Sequence, residues 1–230
     1  MAERPVFISI PKPPFYEQVL VEFEYFGGFA LSQKQRCIRS LHEHFQKKYP
    51  EKKLLEVSSK GWDETGNALS AFFLPIRVGE KKTVLESVFQ GSKVFEKGGP
   101  YTDLYWRAPW EAKSDQRLRE SGNIIGFSLG EEFFPNEPKD FFYNWIYVNA
   151  LYQDPGLFER AMKYNAFTDI EFNPKKSLNC QARSVAIVKG LQMAGKFPDC
   201  MASRDSFLKT VYGNAEENCD EGKQISLFDL

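Results

Sequence analysis

Glu86, Gln90 and Lys93 stand at i, i+4 and i+7 in the stretch from Thr83 to Phe95. Wound as an α-helix at roughly 100° per residue, that spacing puts a carboxylate, an amide and an amine on one face, where all three can point at one ligand. Leu85, Val88, Phe89, Ser92 and Phe95 fall on the apolar face. A carboxylate steadies positive charge, and a lysine amine moves a proton or attacks as a nucleophile once its pKa is lowered. The same spacing also suits a core helix that carries a surface Glu–Lys pair.

Other polar residues offer weaker signals. The run Phe167 to Phe172 alternates strictly, which predicts a strand with Asp169 and Glu171 on one face, either as further carboxylates or simply solvated. Asn179-Cys180-Gln181-Ala182-Arg183 opens a helix, and Arg183 there suits a phosphate partner or a surface arginine. Ser58, Ser59 and Lys60 before Gly61 could cradle a diphosphate. Trp62, Tyr101, Trp106 and Trp145 are candidates to stack on a base, although most aromatics pack in cores. His42 and His44, two apart on one helix, face different ways and read as boundary residues.

These residues need elements to hold them. Strands are predicted over 6–10, 19–23 and 54–58. A helix capped by Ser32 runs to Lys47 and Lys48, with Pro50 as its stop. Asp63 to Asn67 reads as a loop, and Gly79 to Lys82 as a turn into the key helix. Gly98-Gly99-Pro100 ends that helix. Further helices are predicted from Pro109 to about Ser121, over 141–151 and 155–164, from about Asn179 to Met193, and over 203–211; Gly122 and Gly126 bracket a turn. Gly213 to Lys223 is polar and acidic without a core pattern, which predicts a flexible linker.

A chain of 230 residues can bury a sizeable core. Its 30 basic and 31 acidic residues nearly cancel, so no whole-protein field points to nucleic acid or membrane, although a local basic groove is compatible with that balance. Four cysteines without a CxxC pair and two histidines give no zinc template, and no metal or cofactor is expected. No dinucleotide fingerprint or P-loop is present, which removes support for NAD redox and NTP hydrolysis. Without an apolar leader or an 18-residue apolar window, a soluble cytoplasmic protein is expected.

Leu69-Ser70-Ala71-Phe72 followed by Leu85-Glu86-Ser87-Val88-Phe89-Gln90-Gly91-Ser92-Lys93 resembles the hallmark of the NADAR family, roughly "LSNF … vEhayQaxKf". The resemblance covers about residues 54 to 192, including the Glu171 stretch and the Asn179 helix start. Ala71 replaces the family's Asn, Ser87 its His, and Asn173-Pro174-Lys175-Lys176 an expected Trp-Gly element. The chain is most similar to the branch found beside DarT-type ADP-ribosyltransferase toxins. The resemblance implies a single α+β, helix-rich domain over 1–212 with a small β-sheet. It also implies hydrolysis of the N-glycosidic bond between ADP-ribose and guanine in DNA or RNA, as an antitoxin or repair enzyme. Alternatives are an N-glycosidase on a free riboside and a non-catalytic module that binds ADP-ribose or modified nucleic acid. Glu86 and Lys93 are then the catalytic pair and Gln90 a binding residue. Asp169 or Glu171 would hold ribose hydroxyls. Asn179, Arg183, Ser59, Lys60, Trp62 and Tyr101 would make further substrate contacts.

At the other end, Gln224-Ile225-Ser226-Leu227-Phe228 resembles the short peptide with which bacterial repair and replication proteins bind the sliding clamp. Gln224, Leu227 and Phe228 would be its anchors. The competing reading is a terminal segment that folds back on the domain.

Overall fold

The first strand is buried on both faces, and its alternating side chains set the layers. In β1 (Ala2–Ser9), Val6 and Ile8 pack into one apolar cluster while Phe7 packs into the other. The computed structural model describes residues 1–213. The clamp-like peptide with Gln224, Leu227 and Phe228 lies outside the described residues.

In chain order, β2 (Tyr16–Phe23) pairs antiparallel with β1, and α1 (Leu31–Lys48) follows. Next come β3 (Leu54–Glu56), α2 (Glu64–Ala68), and a hairpin of β4 (Pro75–Val78) and β5 (Lys81–Val84). The short helix α3 (Leu85–Gly91) runs directly into β6 (Lys93–Phe95). A 3-10 turn at Thr102–Trp106 leads to α4 (Pro109–Ser114) and α5 (Arg117–Glu120). Strands β7 (Ile124–Leu129) and β8 (Glu132–Pro135) form a second hairpin with β6 at its edge. Helices α6 (Phe141–Tyr152) and α7 (Pro155–Ala161) precede β9 (Ala166–Thr168), and α8 (Gln181–Met193), α9 (Phe197–Cys200) and α10 (Arg204–Tyr212) complete the described chain.

The main sheet has the order β2-β1-β9-β3, with β3 and β9 parallel. One face packs on α1 through Cys37, Ile38, Leu41 and Phe45. The other meets the larger core built on α6 and α8. Helix α6 is apolar nearly all round because it runs through that core: Phe142 stacks on Phe127 at 4.6 Å, and Tyr147 donates to the Leu69 carbonyl at 2.6 Å. The architecture is α+β with small sheets, as the sequence predicts.

Several expected boundaries are corrected. The helix expected over 83–95 covers only Leu85–Gly91. Thr83 and Val84 belong to the β4–β5 hairpin, and the Ser92 carbonyl accepts from Ser128 N at 2.8 Å, which turns the chain into the β6–β7 sheet. The strand expected over 167–172 stops at Thr168 because Asp169 Oδ1 accepts from Glu171 N at 2.9 Å and bends the chain. Asp169 and Glu171 therefore do not share a face: the first is buried and the second exposed. The helix expected from Pro109 to Ser121 breaks at Asp115, whose carboxylate accepts from Arg117 N at 3.0 Å. The expected loop from Asp63 to Asn67 is mostly α2, capped by Asp63 Oδ1 on Thr65 N at 2.8 Å. Gly126 sits inside β7, not at a turn. No helix among the described residues is long and apolar enough to cross a membrane.

Candidate functional site

Helix α3 is buried along its whole length, so its polar side chains must find partners or face a cavity. Gly91 permits this depth, since a Cβ there would stand 2.6 Å from the Tyr105 ring. The polar side chains do both. A cleft of about 1290 Å³ opens over α3, and Glu86, Gln90 and Lys93 line it. Gln90 Nε2 donates to Glu86 Oε1 at 2.9 Å, and Gln90 Oε1 accepts from Lys93 Nζ at 2.6 Å. The amide thus spaces the carboxylate from the amine in one hydrogen-bonded chain. Lys93 joins it from β6 and not from the helix, so the trio forms at a helix-to-strand turn.

Electrostatics sharpen the contrast between the two ends. The Glu86 side chain is only 7 % exposed, and Lys113 Nζ from α4 lies 3.3 Å from its Oε1. Burial pushes the Lys93 amine down to about 8, Glu86 pulls it back up, and the nearby Lys113 charge lowers it further. Lys93 Nζ also sits 4.9 Å from the centre of the Phe89 ring. The result is an amine much closer to neutrality at physiological pH than an exposed lysine, held beside a buried carboxylate.

A second acid reaches the same cleft from the β9–α8 segment. Asp169 lines it, and burial raises the Asp169 carboxyl above its ordinary range. Glu56 lies behind, where burial and Asp169 raise it as well. Its Oε1 accepts from Ile170 N at 2.9 Å, and its Oε2 is buried without a partner.

Gln181 ties the walls together. Its Nε2 donates to Val57 O at 2.6 Å and to Asp169 Oδ2 at 3.0 Å, and its Oε1 accepts from Ala71 N at 2.8 Å. The Ala71 carbonyl in turn accepts from Glu86 N at 2.9 Å. One side chain therefore fixes Asp169 relative to the start of α3. Replacing Gln181 by leucine strands two backbone groups and one carboxylate oxygen, and is expected to lower unfolding free energy by at least about 2 kcal/mol in a denaturant titration. An unchanged midpoint would show that these bonds are dispensable.

The remaining sequence candidates divide. Ser59, Lys60, Asn179 and Glu171 line the cleft. Asn179 Oδ1 is buried without a protein partner, and a hydroxyl or amino group of a ligand would satisfy it. Glu171 is engaged at the rim by Lys34 at 2.8 Å, a contact that raises the Lys34 pKa. Arg183, Trp62 and Tyr101 lie outside the lining. Arg183 is held by Asp140 at 2.8 Å and by the Leu178 carbonyl. Trp62 packs against His42, which burial holds down at about 4, and Tyr101 lies under Arg117 beside Phe95.

Sequence reasoning missed Gln181 and Lys113. Gln181 stood in the singled-out run 179–183, where the amide between two more conspicuous residues was its only signal. Lys113 gave none, because a lysine on an exposed helix looks like any other. Comparison with curated proteins returns no match. A family model described as "DarT1-associated NADAR antitoxin" matches residues 2–221.

Proposed function

The chain belongs to the DarT1-associated NADAR antitoxin family, and from that premise we propose that it is a glycohydrolase that removes ADP-ribose from guanine in nucleic acid, reversing the product of a DarT-type toxin. The observation that carries this reading is the Glu86–Gln90–Lys93 chain on a large cleft, with the amine brought down to about 8.

Breaking the bond between ribose C1 and the guanine nitrogen builds positive charge on C1. Glu86, buried at one end of the hydrogen-bonded chain, is placed to stabilise that charge. The neutral Lys93 amine adds to C1 as the C1–N bond breaks, and the guanine nitrogen leaves with a proton that the lysine nitrogen gives up; the C1–O4′ bond then opens, its oxygen taking the remaining amine proton, and a Schiff base to C1 results. Water then hydrolyses the Schiff base, releasing ADP-ribose and restoring the amine. Gln90 holds the pair at working distance, and Asp169 and Asn179 offer acceptors for ribose hydroxyls.

Incubation with an oligonucleotide bearing ADP-ribosylated guanosine is expected to yield free ADP-ribose and the unmodified strand, resolved by chromatography and mass spectrometry. Cleavage of a free riboside alone would move the protein to small-molecule metabolism. Tight binding without release would make it a non-catalytic reader.

A further inference from the structure

One side of the cleft mouth carries aromatic rings that core packing does not use. Phe73 and Trp110 line the cleft yet are 55 % and 64 % exposed, and Trp106, outside the lining and four residues before Trp110, is 49 % exposed. Lysines accompany these rings. Lys81 Nζ lies 5.2 Å from the centre of Trp106, and Lys113 lines the cleft three residues after Trp110, its Nζ 5.1 Å from the centre of the half-buried Phe72 next to Phe73. The backbone that presents the tryptophans is anchored: Thr83 donates to the Tyr105 carbonyl, and Ser87 Oγ donates to the Arg107 carbonyl at 2.9 Å. Arg117 holds both Asp103 and Asp115, while Glu111, beside Trp110, and Glu80, beside Lys81, are exposed.

Exposed rings on fixed backbone, interleaved with cations, are the features that bind single-stranded nucleic acid: bases stack on the rings and phosphates meet the cations. The cleft's size agrees, for at about 1290 Å³ it exceeds the roughly 300–1,000 Å³ that serves one small ligand. Lys113 also sets direction. It touches Glu86 at 3.3 Å, so a strand lying on these rings arrives at the carboxylate end of the chemical chain.

We propose that Phe73, Trp110 and Trp106, with Lys113 and Lys81, form a track for the single strand that carries the modified base. The track rests on the nucleic-acid reading above and extends it to strandedness and to named residues. Stacking selects an unpaired strand, because in a duplex the base faces are already stacked.

The test separates the track from the chemistry by using an unmodified, fluorescently labelled single-stranded oligonucleotide of twelve or so nucleotides and the full chain. Fluorescence anisotropy is expected to show binding that weakens about 5- to 100-fold in Trp106→Leu and in Trp110→Leu, the scale of one lost base stack. Trp106→Phe is expected to recover most of the loss. Lys81→Ala is expected to flatten the dependence of log K on log salt by about 0.7, the value of one released counterion on a single strand. A duplex of the same sequence should bind more weakly. Circular dichroism melts check that the variants, altered at half-exposed positions, stay folded. Equal affinity in folded wild type and both leucine variants overturns the track, even where glycohydrolase activity stands. Conversely, loss of binding in those variants upholds it even where no ADP-ribose is released. Binding of a toxin polypeptide through Trp106 and Trp110, with no oligonucleotide binding, assigns the surface to a protein and overturns the proposal.

Discussion

Replacing Lys93 by methionine is expected to cut turnover on an ADP-ribosylated oligonucleotide by about 1,000-fold or more, because it removes the nucleophile and the proton carrier together. Methionine keeps an unbranched side chain of similar length, whose end can replace the amine near the Phe89 ring, so the wall of the cleft stays filled. The linkage of this group to folding has a definite sign. Burial depresses the Lys93 pKa from 10.5 to about 8, so the folded chain holds this proton less tightly than the unfolded chain does. Stability contributed by this group therefore rises with pH between those two values and is lowest below about 8, where the fold carries a desolvated ammonium. Removing the amine relieves that cost and strands the buried Gln90 Oε1, two opposing effects, so a melt of the methionine variant at pH 7 accompanies the turnover measurement. Two further readings identify the role. Wild-type turnover should rise with pH through about 8 as the amine becomes neutral. Borohydride should trap a mass adduct of ADP-ribose on wild type and none on the variant. A folded Lys93→Met variant with wild-type single-turnover rates would remove Lys93 from the mechanism.

How far this site was legible in sequence depends on which interactions hold each residue. Glu86 and Gln90 were visible because four residues on one short helix set their contact, and that geometry is local. Lys93 was assigned to the right cluster on the wrong element. Helical spacing brought it near Gln90, but the bond from Ser128 to the Ser92 carbonyl had already drawn the chain into a sheet. That partner lies 36 residues away and leaves no local trace. Asp169 and Glu171 show the opposite failure. Strict alternation reads as a strand, yet a side-chain bond to Glu171 N ends the strand at once and sends the two acids into different surroundings. Long helices such as α6 and α8 were legible because their apolar runs end at clear turn signals. The β7–β8 hairpin was not: Gly126 looked like a turn residue, whereas it is there to admit the Phe133 ring, which would meet a Cβ at 2.4 Å.

The second large effect belongs to Glu86, and its substitution by glutamine separates charge from shape. Glutamine is isosteric, and its carbonyl can still accept from Gln90 Nε2, so the chain to Lys93 keeps its geometry. What disappears is the carboxylate charge that offsets Lys113 at 3.3 Å and that, in the proposed reaction, faces C1. Turnover is expected to fall by at least about 100-fold, the scale of removing one preorganised electrostatic partner of a transition state. The Lys93 limb of the pH profile supplies a second, independent signature. Glu86 raises the Lys93 pKa while burial and Lys113 lower it, so deleting the carboxylate leaves only the lowering influences. The limb should therefore move below about 8 in Glu86→Gln, even as the plateau drops. A purely structural role for Glu86 would reduce the plateau and leave the limb in place. Stopped reactions across pH 6 to 10 with the modified oligonucleotide distinguish the two, and a limb that stays put would mean that Glu86 and Lys93 do not act as one electrostatic unit.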